Sequence, residues 1–223
     1  MGISAETLIG LYPQLFHMAE ADTWNSIRTK GLLSTSALLD LFEVKGTARY
    51  QIESCHRPKS VAITHKTHGR AVIRDQIPMR ENTLQACLTD LTPQQWYETL
   101  NRKVFFWLSR ERLLRLLSAR AYRQKKHCVL TVDTRKMMEI YANKITLSPI
   151  NSGSTIYIPQ PRGSQTFCTL ANYPFIERRK TRTISNSIAE LAVDYSVPKI
   201  EEIVIKVDHM QGEQVLECLY TRD

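Results

Sequence analysis

The sequence predicts a mixed α+β fold in a single domain, residues 1–223. Two observations carry this. Helix-type periodicities and continuous apolar β-type runs follow one another without the regular βαβ repeat that would demand a parallel sheet. Apolar residues make up 43% of the chain, with only 8 Gly and 9 Pro, a composition that builds an ordinary core rather than a disordered chain. At 223 residues the chain fits one domain comfortably, or two small ones at a stretch, and no repeat, linker or low-complexity segment divides it.

Leu15-Phe16-His17 closes a short apolar run and places a histidine at a strand end. Trp24–Lys30 reads as a helix with Asp22 or Thr23 as its N-cap and Lys30-Gly31 as its stop. A second short helix follows over 36–43, with Leu38, Leu39 and Phe42 inward. Residues 44–70 are polar and read as a loop carrying Cys55, His56, His65 and His68, whose spacing matches no common zinc pattern. Residues 71–76 start as a strand and turn polar before Pro78. Thr92-Pro93-Gln94-Gln95 is a strong helix start, with a capping Thr, Pro at the first helical position and Gln three after the cap.

The run 104–109 is too aromatic and too short for a helix and reads as a central strand. A helix over 110–123 comes next, burying Leu113, Leu116, Leu117 and Ala121. Its period sets Arg112, Arg115 and Arg123 on one outer face. A strand over 128–132 and a helix over 135–142 follow. The region 148–187 is rich in turn residues and reads as loops around short strands. Strands near 188–193, 202–207 and 214–219 finish the chain.

Charge points to a partner. The formal net charge is +8, and residues 102–126 hold nine Lys/Arg against the single Glu111, an excess equal to that of the whole chain. A solvated helix normally mixes charges to gain i,i+4 pairs, so a one-signed stretch suggests a polyanion. A second basic run, Arg178-Arg179-Lys180-Thr181-Arg182, precedes a lone carboxylate, Glu190, inside an apolar β-type segment. A charge in a strand interior is costly unless it faces water or a bound partner.

The five cysteines are scattered without paired spacing, which fits reduced thiols in a cytoplasmic protein. The N-terminus lacks a secretory pattern, and no apolar run approaches the ~20 residues that span a bilayer. A membrane partner is therefore not expected. No phosphate-cradling glycine loop and no Gly-x-Ser-x-Gly elbow occurs, which removes P-loop, Rossmann and α/β-hydrolase chemistry.

Phe16-His17, a short helix, Gly31-Leu32-Leu33-Ser34 and the late Ala189-Glu190-Leu191 strand running to Val197-Pro198 together resemble the ADP-ribosyltransferase fold. The closest likeness is to DarT-type toxins that modify nucleic acid. The likeness spans most of the chain through short motifs separated by unmatched sequence. It departs where family members carry Thr-His and an Asn, which here are Ala19-Glu20 and Thr23. It implies a split β-sheet flanked by helices, with NAD as co-substrate and no metal.

Carried over, Glu190 is the catalytic carboxylate, which stabilises an oxocarbenium-like charge and takes the nucleophile's proton. His17 holds the nicotinamide-side ribose, and Ser34 helps in the same pocket. Trp107 and Ser109 lie where the family places its second NAD motif, and Arg74 is suited to reach the diphosphate bidentately. Arg112, Arg115, Arg123, Arg178, Arg179, Lys180 and Arg182 are then the expected contacts to single-stranded RNA or DNA.

The implied activity is ADP-ribosylation of a base by a toxin or phage-defence effector, with an antitoxin protein as a candidate partner. An RNA 2′-phosphotransferase or a protein ADP-ribosyltransferase on the same fold are the alternatives. The non-enzyme alternative is a nucleic-acid-binding module with a decayed site.

Overall fold

The computed structural model describes residues 2–156 and 158–222. The chain opens with α1 (Ala5–Leu11), capped by the Ser4 hydroxyl accepting from Thr7 N–H at 3.1 Å, and β1 (Gln14–Glu20). Then come α2 (Trp24–Lys30), β2 (Leu32–Leu33), α3 (Thr35–Leu41), α4 (Gly46–Glu53) and the hairpin β3 (Val61–His65)–β4 (Gly69–Ile73). The middle holds α5 (Glu81–Cys87), α6 (Pro93–Asn101), β5 (Lys103–Trp107), α7 (Arg110–Leu117), β6 (Lys126–Asp133), α8 (Thr134–Tyr141) and β7 (Ile145–Ser148). The last part holds α9 (Phe175–Arg179), α10 (Ile184–Ser187), β8 (Glu190–Asp194), β9 (Ser196–Val197), α11 (Ile200–Ile203), β10 (Val204–Gln211) and β11 (Gln214–Thr221). This is the α+β class expected. Among the described residues no helix is long and apolar enough to cross a membrane.

The main sheet has the order β11-β10-β6-β1-β5-β8-β7, and every pairing in it is antiparallel. It is two ladders joined at one point. β1 runs along β6 from Gln14↔Asp133 to Glu20↔His127, and β5 runs along β8 from Lys103↔Asp194 to Trp107↔Glu190. Between β1 and β5 the only registered pair is Phe16↔Trp107. Beyond it the two strands part.

One core packs α1, α2, α8 and α11 against the sheet through Leu8, Ile27, Met137 and Ile200. A second seats Leu113 and Leu117 of α7 on Phe16, Met18, Val129 and Met210. Satellite cores lie under the β3–β4 hairpin with α3 and α4, and between α5 and α6. The predicted capping box of α6 is present: Thr92 Oγ1 accepts from Gln95 N–H at 3.2 Å and Gln95 Oε1 accepts from Thr92 N–H at 2.8 Å.

Three expectations change. Residues 44–70 are not a loop, because α4 and the β3–β4 hairpin form there and bury Ile52, Ile63 and Ile73 together. Among the described residues of 148–187, short helices and isolated bridges stand in place of short strands. The helix expected over 110–123 ends at Leu117. Past that point Tyr122 is buried, and its hydroxyl donates to Asp75 at 2.8 Å, so the chain turns early to enter β6. Tertiary packing overrides the helical propensity of Ala119–Ala121.

Candidate active site

Where β1 and β5 part, a cavity of about 650 Å³ opens, within the size range of small-molecule sites. Its walls come from both lips of the split: His17 to Glu20 on one side, Lys103, Phe105 and Trp107 on the other. β2, the β4 end and the turn 151–153 close it. Gly31 allows β2 to approach. Its φ is +83, and a Cβ there would sit 2.5 Å from Pro198 Cα, next to the β2–β9 pair.

Glu190 stands at the start of β8, opposite Trp107 on one neighbour and Ser148 on the other. It does not face solvent. It is 4% exposed and lines the cavity. Its Oε2 accepts the backbone N–H of Ser152 at 3.1 Å. Burial pushes its carboxyl up to about 7, against the opposing pull of Ser152, Arg112 and Arg162. A carboxyl that titrates near neutrality inside a cleft is suited to proton transfer.

His17 is half-buried in the same cavity wall. Its Nδ1 lies 2.8 Å from Phe105 O, which can only accept, so Nδ1 carries the proton. Desolvation lowers its pKa to about 4, with the Arg74 charge acting in the same direction against the Phe105 hydrogen bond. The ring is therefore neutral at pH 7, and Nε2 is left as an acceptor for a hydroxyl. Ser34, buried and in the cavity wall, caps α3: its Oγ accepts from Ala37 N–H at 3.2 Å and keeps its own proton to donate.

Arg74 also lines the cavity, with its guanidinium 4.9 Å over the Tyr122 ring and a 3.4 Å contact to Met18 O. Beside it sits Arg57, 6% exposed. Arg57 donates to Arg74 O at 2.7 Å, Ile52 O at 2.5 Å and Asn101 Oδ1 at 3.2 Å. All three acceptors are neutral, and among the described residues no carboxylate forms a salt bridge with it. Burial lowers its pKa to about 10, so it stays charged, with Asp75 as its supporting negative charge. A buried cation held by neutral acceptors on a cavity wall favours an anionic ligand.

The remaining expected residues divide. Trp107 is in the cavity wall. Ser109 is not: it caps α7 by accepting from Arg112 N–H at 3.3 Å and lines a second, shallower cavity with Tyr12, Leu108 and Ile184. Arg112, Arg115 and Arg123 do not share one helix face. Arg112 turns inward, donates to Asn186 Oδ1 at 2.9 Å and acts electrostatically on Glu190. Arg115 is exposed and pairs with Glu111, and Arg123 lies beyond the helix, also exposed. The basic run before β8 is not all loop: Arg178 lies in α9, where it holds Ser187 O at 2.9 Å and Pro149 O at 3.0 Å, bracing the approach to Glu190. Arg179 donates to Arg182 O at 2.8 Å, and Lys180 and Arg182 are exposed.

The model of a protein family of unknown function, DUF7002, matches residues 13–204. The chain belongs to this family. No curated protein and no solved structure matches it. The span that defines the DUF7002 match begins one residue before β1 and ends at the first residue of β10. It therefore takes in both lips of the split and the whole cavity wall, and leaves α1 and β11 outside.

Two buried arginines around the cavity carry no signal in the sequence. Arg57 sits in the polar stretch read as a loop, and nothing local marks it, because its acceptors come from α4, the residue after β4 and α6. Arg162, 2% exposed, donates to Ser152 O at 2.9 Å and so fixes the turn whose N–H holds Glu190. The turn chemistry of Asn151-Ser152-Gly153 was visible, but its partner was not.

Proposed function

We propose that this protein is an NAD-dependent ADP-ribosyltransferase that modifies a base in single-stranded RNA or DNA. The observation that supports this most is one cavity joining three matched groups. They are a carboxyl poised near pH 7 (Glu190), a neutral histidine offering an acceptor (His17), and buried or half-buried guanidinia (Arg57, Arg74). A dinucleotide with ribose hydroxyls, a diphosphate and a cationic leaving ring matches that set.

His17 Nε2 accepts a ribose hydroxyl, and Arg57 and Arg74 face the diphosphate. The bond between ribose C1′ and nicotinamide breaks, and C1′ bonds to the attacking atom of the base. The proton that atom sheds passes to Glu190, whose ionised form also steadies the positive charge on the ribose. The same reading makes the protein a cytoplasmic toxin or defence effector, with an antitoxin as a candidate partner.

The test is nicotinamide release and ADP-ribosyl transfer by wild type and Glu190→Gln. The amide keeps the shape and the Ser152 contact, so the variant is expected to fold and to lose at least ~10²-fold in transfer rate. Transfer at a near wild-type rate would remove Glu190 from catalysis.

A further inference from the structure

The basic segment after α7 is built differently from the amphipathic helix its sequence suggested. Residues 118–125 form a turn pinned by Tyr122, which is buried, lines the cavity and bonds Asp75. Around that anchor Arg120, Arg123, Lys125 and Lys126 are all exposed, and among the described residues none of them forms an ion pair. α7 carries the exposed Arg115 on toward Ser109, two residues from Trp107, the registered partner of Glu190. Leu116 and Tyr122 line the cavity, so the end of α7 and the turn after it reach its wall. Eight residues of α7 span about 12 Å, roughly two nucleotides of extended strand.

From this placement we propose that Arg115, Arg120, Arg123, Lys125 and Lys126 form a phosphate track that carries a single nucleic-acid strand along α7 toward Glu190. The inference rests on the transferase reading for its destination, but not for its electrostatics. Four unpaired cations within seven residues, held on a pinned turn beside a cavity, suit a polyanion with regularly spaced charges. The basic run before β8 is less free for this, since Arg178 of α9 is bound to two backbone carbonyls. The strand's far contacts then lie several nucleotides from the modified base, so very short acceptors lose affinity and not turnover.

The test uses fluorescein-labelled twelve-residue oligo-dT and oligo-U with the full chain. Their binding is followed over a series of salt concentrations for wild type and the triple variant Arg120→Ala, Lys125→Ala, Lys126→Ala. These residues are exposed, and thermal melting with NAD calorimetry checks that fold and cavity are unchanged. At about 0.7 log unit per phosphate on single strands, the variant's salt slope is expected to flatten by about two. KM for the strand should rise tenfold or more at unaltered kcat. A slope equal to wild type, or a wild type that binds neither strand, overturns the track. A wild type that binds along the track yet transfers no ADP-ribose leaves the track standing and removes the transferase reading. A variant whose salt slope equals wild type, with ADP-ribose still transferred to the strand, would separate them the other way.

Discussion

Glu190 and His17 are shifted in opposite directions by the same burial, and that sets how the protein should respond to pH. The Glu190 carboxyl goes up from 4.5 to about 7, so folding favours its protonated form. The stabilisation is complete below the unfolded value and is lost as pH rises through about 7. Glu190→Gln has nothing to ionise. It should therefore gain stability over wild type between those two values, by at most about 3 kcal/mol at alkaline pH. Chemical unfolding at about pH 4, 6 and 8 reads this directly, and a difference that is flat with pH would place the carboxyl in water. His17 goes down from 6.5 to about 4, so its contribution is present above 6.5 and is lost as pH falls through 4. His17→Ala should weaken NAD binding by on the order of 1–3 kcal/mol, the effect of an unpaired ribose hydroxyl. Calorimetry giving equal affinity would leave His17 as a wall residue only.

At the level of elements, the turn 151–153 is the piece that holds Glu190, through the Ser152 N–H. Arg162 holds it from behind through Ser152 O, while its guanidinium lies 5.8 Å over the Trp96 ring. Arg162→Gln removes a nearby cation and loosens the turn, and both changes push the Glu190 carboxyl further up. The expected result is a kcat/KM profile whose rise moves to higher pH, with Arg162→Lys partly restoring it. A lower rate with an unmoved profile would mean that Arg162 serves only stability. Elements with local signals were legible in the sequence: Trp24–Lys30 by its Gly31 stop, though Thr23 donates to Glu20 O at 2.7 Å and does not cap it, α6 by Thr92-Pro93 and Gln95, β5 by its aromatic run. Where long-range packing decides, the sequence was misleading. α7 stops early because Tyr122 is drawn into the core, and the β3–β4 hairpin forms because Ile63 and Ile73 meet Leu39 and Phe42. The motif residues His17, Ser34, Arg74 and Glu190 share one cavity, but Arg57 and Arg162 gain their roles from contacts 44 and 10 residues away along the chain.

For the molecule as a whole, the single Phe16↔Trp107 pair is the seam between two ladders, and the cavity lies in that seam. A ligand bridging His17 on one lip and Glu190 with Trp107 on the other ties the halves together. NAD at about 100 times its Kd should add about 2.7 kcal/mol, a rise in melting temperature of roughly 5–10 °C for a chain of this size. Adenosine, which cannot reach the guanidinia with a diphosphate, should give less. The most direct measurement is incubation of the protein with NAD labelled in its adenosine half, beside separate pools of RNA, single-stranded DNA and protein. The transferase reading expects label on one nucleic-acid pool, nicotinamide released in equal amount, and neither with Glu190→Gln. Label on the protein pool alone, or none on any pool while the cavity binds NAD, would contradict it.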